Sequence, residues 1–249
     1  VSVEKYGNRD HLEFEVASRC YGHIREDDSG CDFDLNLPPC LPGERITDPG
    51  GNRHAGSTTL ALNLNGDQIP DFLIGDVDCT NLSALYASDT ATVAAHIDSL
   101  QNDFPRYSTP VDLPYFPADF SLDVVLDGLQ VVLVAPNDLQ IGEDQAGVWY
   151  FRNTGTATLP NFQVNEIGFL QNEMLEVGTS SIPAFFDYNG DGLQDLLIGN
   201  LGRFDSLVDF TPSLWLYENT GTASVPSYEL VDNNYLDITQ DPNLAGTSY

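Results

Sequence analysis

Basic residues are what this chain has least of. Nine Lys and Arg stand against 38 Asp and Glu, giving a formal net charge of −29 over 249 residues. A surface that negative repels phosphate backbones and anionic lipid, which excludes general nucleic-acid binding and inner-leaflet roles. It suits cation binding and a salty or extracellular medium that screens the repulsion. Long apolar runs are also missing: nothing approaches the roughly eighteen residues of a membrane span. The opening VSVEKYGNRDHLEF has no apolar core of signal type. No GxSxG, P-loop, Rossmann glycine pattern or HExxH occurs. Cysteine is sparse, with Cys20, Cys31, Cys40 and Cys79 forming no CxxC pair and no zinc-finger spacing to His11, His23 or His54. Three of them fall in a Gly/Pro/Asp-rich stretch that needs stapling. Two disulfides of unread pairing are expected, in an oxidising compartment, with buried free thiols or metal ligation as the alternatives.

What is present is a folding composition, 41% hydrophobic, on a chain long enough for one large all-β domain or two ordinary ones. Its organisation is repetitive. LALNLNGDQIPDFLIGD, FSLDVVLDGLQVVLVAP and AFFDYNGDGLQDLLIGN align, with Asn63, Asp123 and Asp187 in equivalent places, spaced by 60 and then 64 residues. A second signature travels with the first: VWYFRNTGTATLPNF matches LWLYENTGTASVPSY, aligning Trp149 with Trp215. Two markers in the same order identify a repeat protein. Each unit reads as four short strands separated by Gly and Asn turns, the grammar of a β-propeller blade. The expected fold is therefore all-β, with blades of about 60–65 residues. Residues 1–55 hold the end of a preceding blade and a cysteine-containing irregular insertion. Residues 56–119 form a first blade with a long insert, 120–183 a second, and 184–249 a third blade and the start of the next. One helix is expected, over residues 90–101 (TATVAAHIDSLQ). Three loop copies and an unfinished closing segment suggest a partial ring, a piece of a longer chain.

The loops pose the chemical question. FFDYNGDGLQDLLIGN packs three aspartates into nine residues beside an apolar run, where repulsion and lost hydration both disfavour them. Counted from Asp187, side-chain oxygens fall at positions one, three, five and nine: Asp187, Asn189, Asp191 and Asp195. Leu193 at position seven offers a backbone carbonyl. Calcium takes six to eight hard oxygens, and an EF-hand loop draws its early ligands from the same ladder. Position twelve is Ile198 here and Ile74 in the first copy, inside strand-like runs, so the loop joins strands rather than helices. The first copy supplies Asn63, Asn65, Asp67, the carbonyl of Ile69, and Asp71. The middle copy keeps Asp123 and Asp127 but has Val125 and Val131 at positions three and nine, which makes a third calcium site there doubtful. Without metal, all three are Asp/Asn/Gly turns.

At these residues the chain resembles the FG-GAP/VCBS repeat family, through NLNGDQIPD at Asn63 to Asp71 and DYNGDGLQD at Asp187 to Asp195, each followed by an apolar strand ending in Gly75 or Gly199. The resemblance implies an integrin-α-like β-propeller with calcium in its inter-strand loops. The Trp-x-x-x-Asn-Thr-Gly-Thr segments resemble those of large secreted Bacteroidetes proteins, cargo of the type IX secretion route. A calcium-stabilised extracellular or cell-surface module binding a protein or glycan is the leading expectation. The alternatives are part of a secreted polysaccharide lyase or hydrolase, and a scaffold in a surface or secretion-associated assembly, docking through residues 90–114. No catalytic residue stands out: His54 is the best single base candidate, ahead of His23 and His96. Arg45, Arg53 and Arg106 read as surface salt-bridge partners, and Trp149 and Trp215 as core residues rather than sugar platforms. Asn81-Leu82-Ser83 fits a glycosylation acceptor.

Overall fold

A computed structural model of the chain describes residues 2–6, 13–18, 22–26, 31–35, 56–88, 96–138, 146–202 and 211–240. These residues are all-β apart from two short 3-10 turns. In chain order the strands are β1 (Ser2–Tyr6), β2 (Glu13–Ser18), β3 (Arg25–Glu26), β4 (Phe33–Asp34), β5 (Ser57–Leu62), β6 (Asp71–Asp76), β7 (Ser83–Ala87) and β8 (Ile97–Gln101). They continue with β9 (Pro117–Leu122), β10 (Val131–Pro136), β11 (Trp149–Asn153), β12 (Phe162–Ile167), β13 (Ile182–Phe186), β14 (Asp195–Asn200), β15 (Ser213–Asn219) and β16 (Tyr228–Asp232). β5–β8, β9–β12 and β13–β16 form three four-stranded antiparallel sheets, each a meander in sequence order, and β1–β2 and β3–β4 form two hairpins. The chain divides into two compact units, the first ending at Leu170 and the second taking up at Gln171. No helix among the described residues is long and apolar enough to cross a membrane.

The repetition in the sequence is a repetition of register. The residue before each loop pairs with loop position nine: Leu62 with Asp71, Leu122 with Val131, Phe186 with Asp195. Each sheet also shifts register between its third and fourth strands, at Tyr86/Ala87, Tyr150/Phe151 and Leu216/Tyr217, a bulge that strengthens local twist. The second strands are the most apolar because they are interior to their sheets. Leu73, Val132 and Val134 are fully buried, as expected for strands covered on both faces.

The second signature closes the connection between third and fourth strands. Asn153 Oδ1 accepts from Gly155 N at 2.9 Å and Asn161 N at 3.0 Å. Asn219 Oδ1 accepts from Gly221 N at 3.0 Å and Ser227 N at 3.1 Å. Both asparagines are 3% exposed, so in each turn one buried amide oxygen satisfies two backbone donors. The glycines are required by space: a Cβ at Gly155 would meet the Leu159 carbonyl, and one at Gly221 the Val225 carbonyl.

In the first unit, Leu73, Leu82, Val132, Val134, Trp149 and Phe151 belong to one apolar core between the first two four-stranded sheets. The Trp149 ring lies against Phe151 (6.1 Å between centroids) and donates Nε1–H to the Ala146 carbonyl. In the second unit Trp215 lies against Tyr217 (6.4 Å) and donates to Ser213 Oγ. Both indoles are core residues, which removes the sugar-platform reading. The other face of the first sheet buries Leu85, Ala87 and Ile97 beneath Ile24, Phe33 and Leu35. The Cys31–Cys79 disulfide ties that cover to the turn after β6. Cys20 and Cys40 lie outside the described residues.

The helix expected over residues 90–101 is corrected in its second half, and residues 90–95 lie outside the described residues. Ile97–Gln101 is strand β8, paired with β7 from Ala84↔Gln101 to Ala87↔Ile97. Local propensity there favours helix, but ladder bonds and burial of Ile97 override it. Within the insert expected to dock over residues 90–114, Phe104, Val111 and Leu113 are core residues at 1–2% exposure, while Arg106, Tyr107 and Asp112 are exposed. The same segment protects the outer edge of the second sheet: Phe162 N donates to the Tyr107 hydroxyl and Val164 N to Ser108 Oγ, both at 3.0 Å. Capping β12 in this way blunts an edge that could pair with another chain.

Candidate metal centre

Each loop is built by its first residue. Asp187 Oδ1 accepts from Gly190 N at 2.7 Å and Asp191 N at 3.1 Å, and its Oδ2 from Gly192 N at 2.9 Å. Asn189 Oδ1 accepts from Asp191 N at 3.0 Å, and Asp191 Oδ1 from Leu193 N at 2.7 Å. The first loop repeats this ladder: Asn63 takes Gly66 N at 2.7 Å, Asn65 takes Asp67 N at 2.9 Å, and Asp67 takes Ile69 N at 2.8 Å. Oxygens at positions one, three and five therefore face the loop interior. Position seven turns its side chain the other way, with Ile69 packed against the core.

Curling the chain this tightly puts positions four and six in the left-handed region in all three copies. They are Gly66 (φ 90°) and Gln68 (69°), Leu126 (58°) and Gly128 (83°), and Gly190 (82°) and Gly192 (90°). The middle loop has the same backbone shape despite lacking two ligand-type side chains. Asp123 holds it by accepting from Asp127 N and Gly128 N.

Position nine resolves the charge problem. Asp195 is fully buried. Its Oδ2 accepts from Tyr188 N at 2.9 Å and its Oδ1 from Asn219 N at 2.8 Å. Asp71, equally buried, accepts from Leu64 N at 2.8 Å and Ala87 N at 2.9 Å. In both cases one oxygen holds loop position two, and the other holds the last residue of the third strand. The two sequence signatures meet physically at Asn219, whose N–H is gripped by Asp195 while its side chain closes the next turn. Val131 in the middle copy is buried without any such link. Burial pushes the Asp71 carboxyl above its ordinary value, opposed by the Leu64 and Ala87 N–H groups.

The donor chemistry fits a hard cation. Carboxylate and amide oxygens carry two lone pairs each, and the loop uses only some of them. Asp187 Oδ1 accepts twice, but Asp187 Oδ2, Asn189 Oδ1 and both oxygens of Asp191 and Asp195 accept once each. Among the described residues no three His, Cys, Asp or Glu side chains form a metal cluster. The loops draw on Asn and backbone oxygens as well. Glu218 on β15, which no sequence motif marks, joins the third loop: its Oε1 accepts from Asn189 Nδ2 at 2.9 Å and its Oε2 from the Tyr188 hydroxyl at 3.5 Å. Only strand pairing brings it to a loop 29 residues away.

Among the other candidates, Arg106 pairs with Asp103 at 2.8 Å, as expected of a surface cation. That guanidinium holds the Asp103 carboxyl below the usual range. His23 and His96 make an edge-on ring pair at 5.6 Å. Asn81 Nδ2 donates to the Asn102 carbonyl. His11, Arg45, Arg53 and His54 lie outside the described residues. The chain is thus an all-β protein of several four-stranded antiparallel sheets with a repeated carboxylate loop, and no protein-family model, curated protein or solved structure matches it.

Proposed function

We propose that this chain is an extracellular or cell-surface module of β-propeller type, built from FG-GAP/VCBS-like blades and stabilised by calcium, that binds a protein or glycan partner. The observation that carries this reading is the shared ladder of loops one and three, in which positions one, three and five turn oxygens inward while position nine anchors the loop to its sheet. The first site is Asn63, Asn65, Asp67, the carbonyl of Ile69, and Asp71. The second is Asp187, Asn189, Asp191, the carbonyl of Leu193, and Asp195, with Glu218 adding negative charge beside it. Asp123 and Asp127 alone make the middle loop a poor site.

Bound calcium supplies positive charge where the loop concentrates carboxylates, and so ties the end of one strand to the start of the next. A site with Kd near 10⁻⁴ M in about 10⁻³ M calcium gains about 1.4 kcal/mol. The strongly acidic surface and the disulfide both suit an oxidising, cation-rich medium. Thermal melts in millimolar CaCl₂, in EDTA, and in NaCl of equal ionic strength test the calcium part: a rise in Tm specific to calcium is expected, and identical melts refute it. Calcium-dependent binding on a glycan array or to a surface protein supports the recognition role. Polysaccharide turnover by the purified chain would replace that role with an enzymatic one.

A further inference from the structure

Asp119 lies on β9, outside the loop ladder. The equivalent residues of the other two copies, four before the loop, are Thr59 and Pro183, so this carboxyl is not part of the repeat. It is 6% exposed and its Oδ2 has no hydrogen-bond partner. Its Oδ1 is approached by the Thr58 hydroxyl at 3.4 Å. That hydroxyl has one proton to give, and it lies nearer to two other acceptors, the Pro117 carbonyl at 3.0 Å and the Gly75 carbonyl at 3.3 Å. Three acceptors therefore compete for one donor. The strands are pressed together at this point, since a Cβ on Gly75 would collide with the Pro117 carbonyl.

Among the described residues of the strands around Asp119, no cation relieves the site. β9 packs against β5 and β6 and pairs with β10, and the sequences STTLAL, DFLIGD, PADFSL and VVLVAP contain no Lys, Arg or His. The other ionisable groups on these strands are Asp71 and Asp76, of the same sign. Asp76 is occupied by the Ser57 hydroxyl at 2.8 Å and Asp78 N at 3.2 Å. Asp71 sits at the opposite end of β6. Burial raises the Asp119 carboxyl to about 7, against a smaller pull from its own N–H and the Thr58 hydroxyl.

We propose that Asp119 is a proton-operated clasp between the first and second four-stranded sheets. Protonated on Oδ1, the acid donates to Thr58 Oγ1 and frees the threonine proton for the Pro117 carbonyl. On ionisation the proton passes to solvent, and an unpaired negative charge is left in an apolar seam, which loosens β9 from β5 and β6. The device acts within the first unit and does not depend on calcium in the loops.

The test is a ¹³C carboxyl titration of the Asp-labelled full chain in EDTA, with melts of wild type and Asp119→Asn from pH 5 to 8. One carboxyl signal, absent in Asp119→Asn, is expected to titrate near pH 7, and the Tm of wild type is expected to fall relative to the variant across that range. A midpoint below pH 5, or a Tm difference that is the same at every pH, overturns the proposal. Thr58→Val covers the case of a variant that fails to fold. The hydroxyl is the one side-chain group within hydrogen-bond reach of the carboxyl, so removing it must move the midpoint, and an unmoved midpoint also overturns the proposal.

Discussion

Replacing Asp195 with Ala separates the role of this carboxylate as a backbone clip from any role as a metal ligand. The side chain accepts from Asn219 N at 2.8 Å and from Tyr188 N at 2.9 Å. Hydrogen bonds to a charged acceptor contribute about 1.5–3 kcal/mol each. Asn219 is 3% exposed, so its N–H has no water to turn to and the upper part of that range applies. Tyr188 is only half-buried, and its N–H recovers part of its loss from solvent. The expected destabilisation is therefore about 3–5 kcal/mol with no calcium present. Urea unfolding in EDTA, followed by Trp215 fluorescence in a Trp149→Phe background, reports on the second unit alone. At a typical slope of about 2 kcal/mol/M the midpoint falls by roughly 2 M. Asp195→Asn keeps one acceptor oxygen and is expected to lose about half as much. A midpoint for Asp195→Ala within about 0.3 M of wild type would refute the clip, since that is a loss of only about 0.6 kcal/mol.

The other predictions concern separate features of the fold. Leu126→Gly is expected to stabilise the first unit by up to about 1 kcal/mol, because Leu126 is 87% exposed and holds φ 58° against its Cβ; a loss of stability on denaturation refutes this. Cys31→Ser with Cys79→Ser opens a loop of 48 residues and is expected to cost about 4 kcal/mol in the chain-entropy account, read as a lowered urea midpoint under non-reducing conditions. Asn219→Ala removes the acceptor for Gly221 N and Ser227 N and is expected to cost about 2–3 kcal/mol. Hydrogen exchange should then quicken across β15 and β16. The rise of the Asp119 carboxyl from 3.8 to about 7 means that its contribution is greatest below pH 4 and is lost as pH climbs to 7. The size is on the order of 4 kcal/mol, measured as the pH-dependent part of the difference between wild type and Asp119→Asn.

Much of the fold could be read from the chain because its repeats are written in local chemistry. Asp and Asn at alternate loop positions, with glycine where the backbone must turn left-handed, fix the connection between first and second strands almost alone. Asn-Thr-Gly-Thr fixes the one between third and fourth. What could not be read depends on strand pairing. The compensation of Asp195 comes from Asn219, which only the β14–β15 ladder brings near, and Glu218 reaches Asn189 by the same route. Residues 97–101 suggest a helix until β7 is there to pair with them. Asp119 looks like any acidic residue of an acidic chain until β5 and β6, neither of which carries a basic residue, close over it.

Calcium binding to the loop from Asp187 to Asp195 is the claim on which the functional reading stands. Isothermal titration calorimetry of wild type, Asp191→Asn and Asp67→Asn with CaCl₂ at physiological ionic strength tests it most directly, since neither substitution touches the position-nine clips. The account predicts two sites in wild type, with Asp191→Asn weakening one and Asp67→Asn the other. A wild-type chain that gives no binding heat in millimolar calcium and no rise in Tm, or two sites that both substitutions leave unchanged, would contradict it.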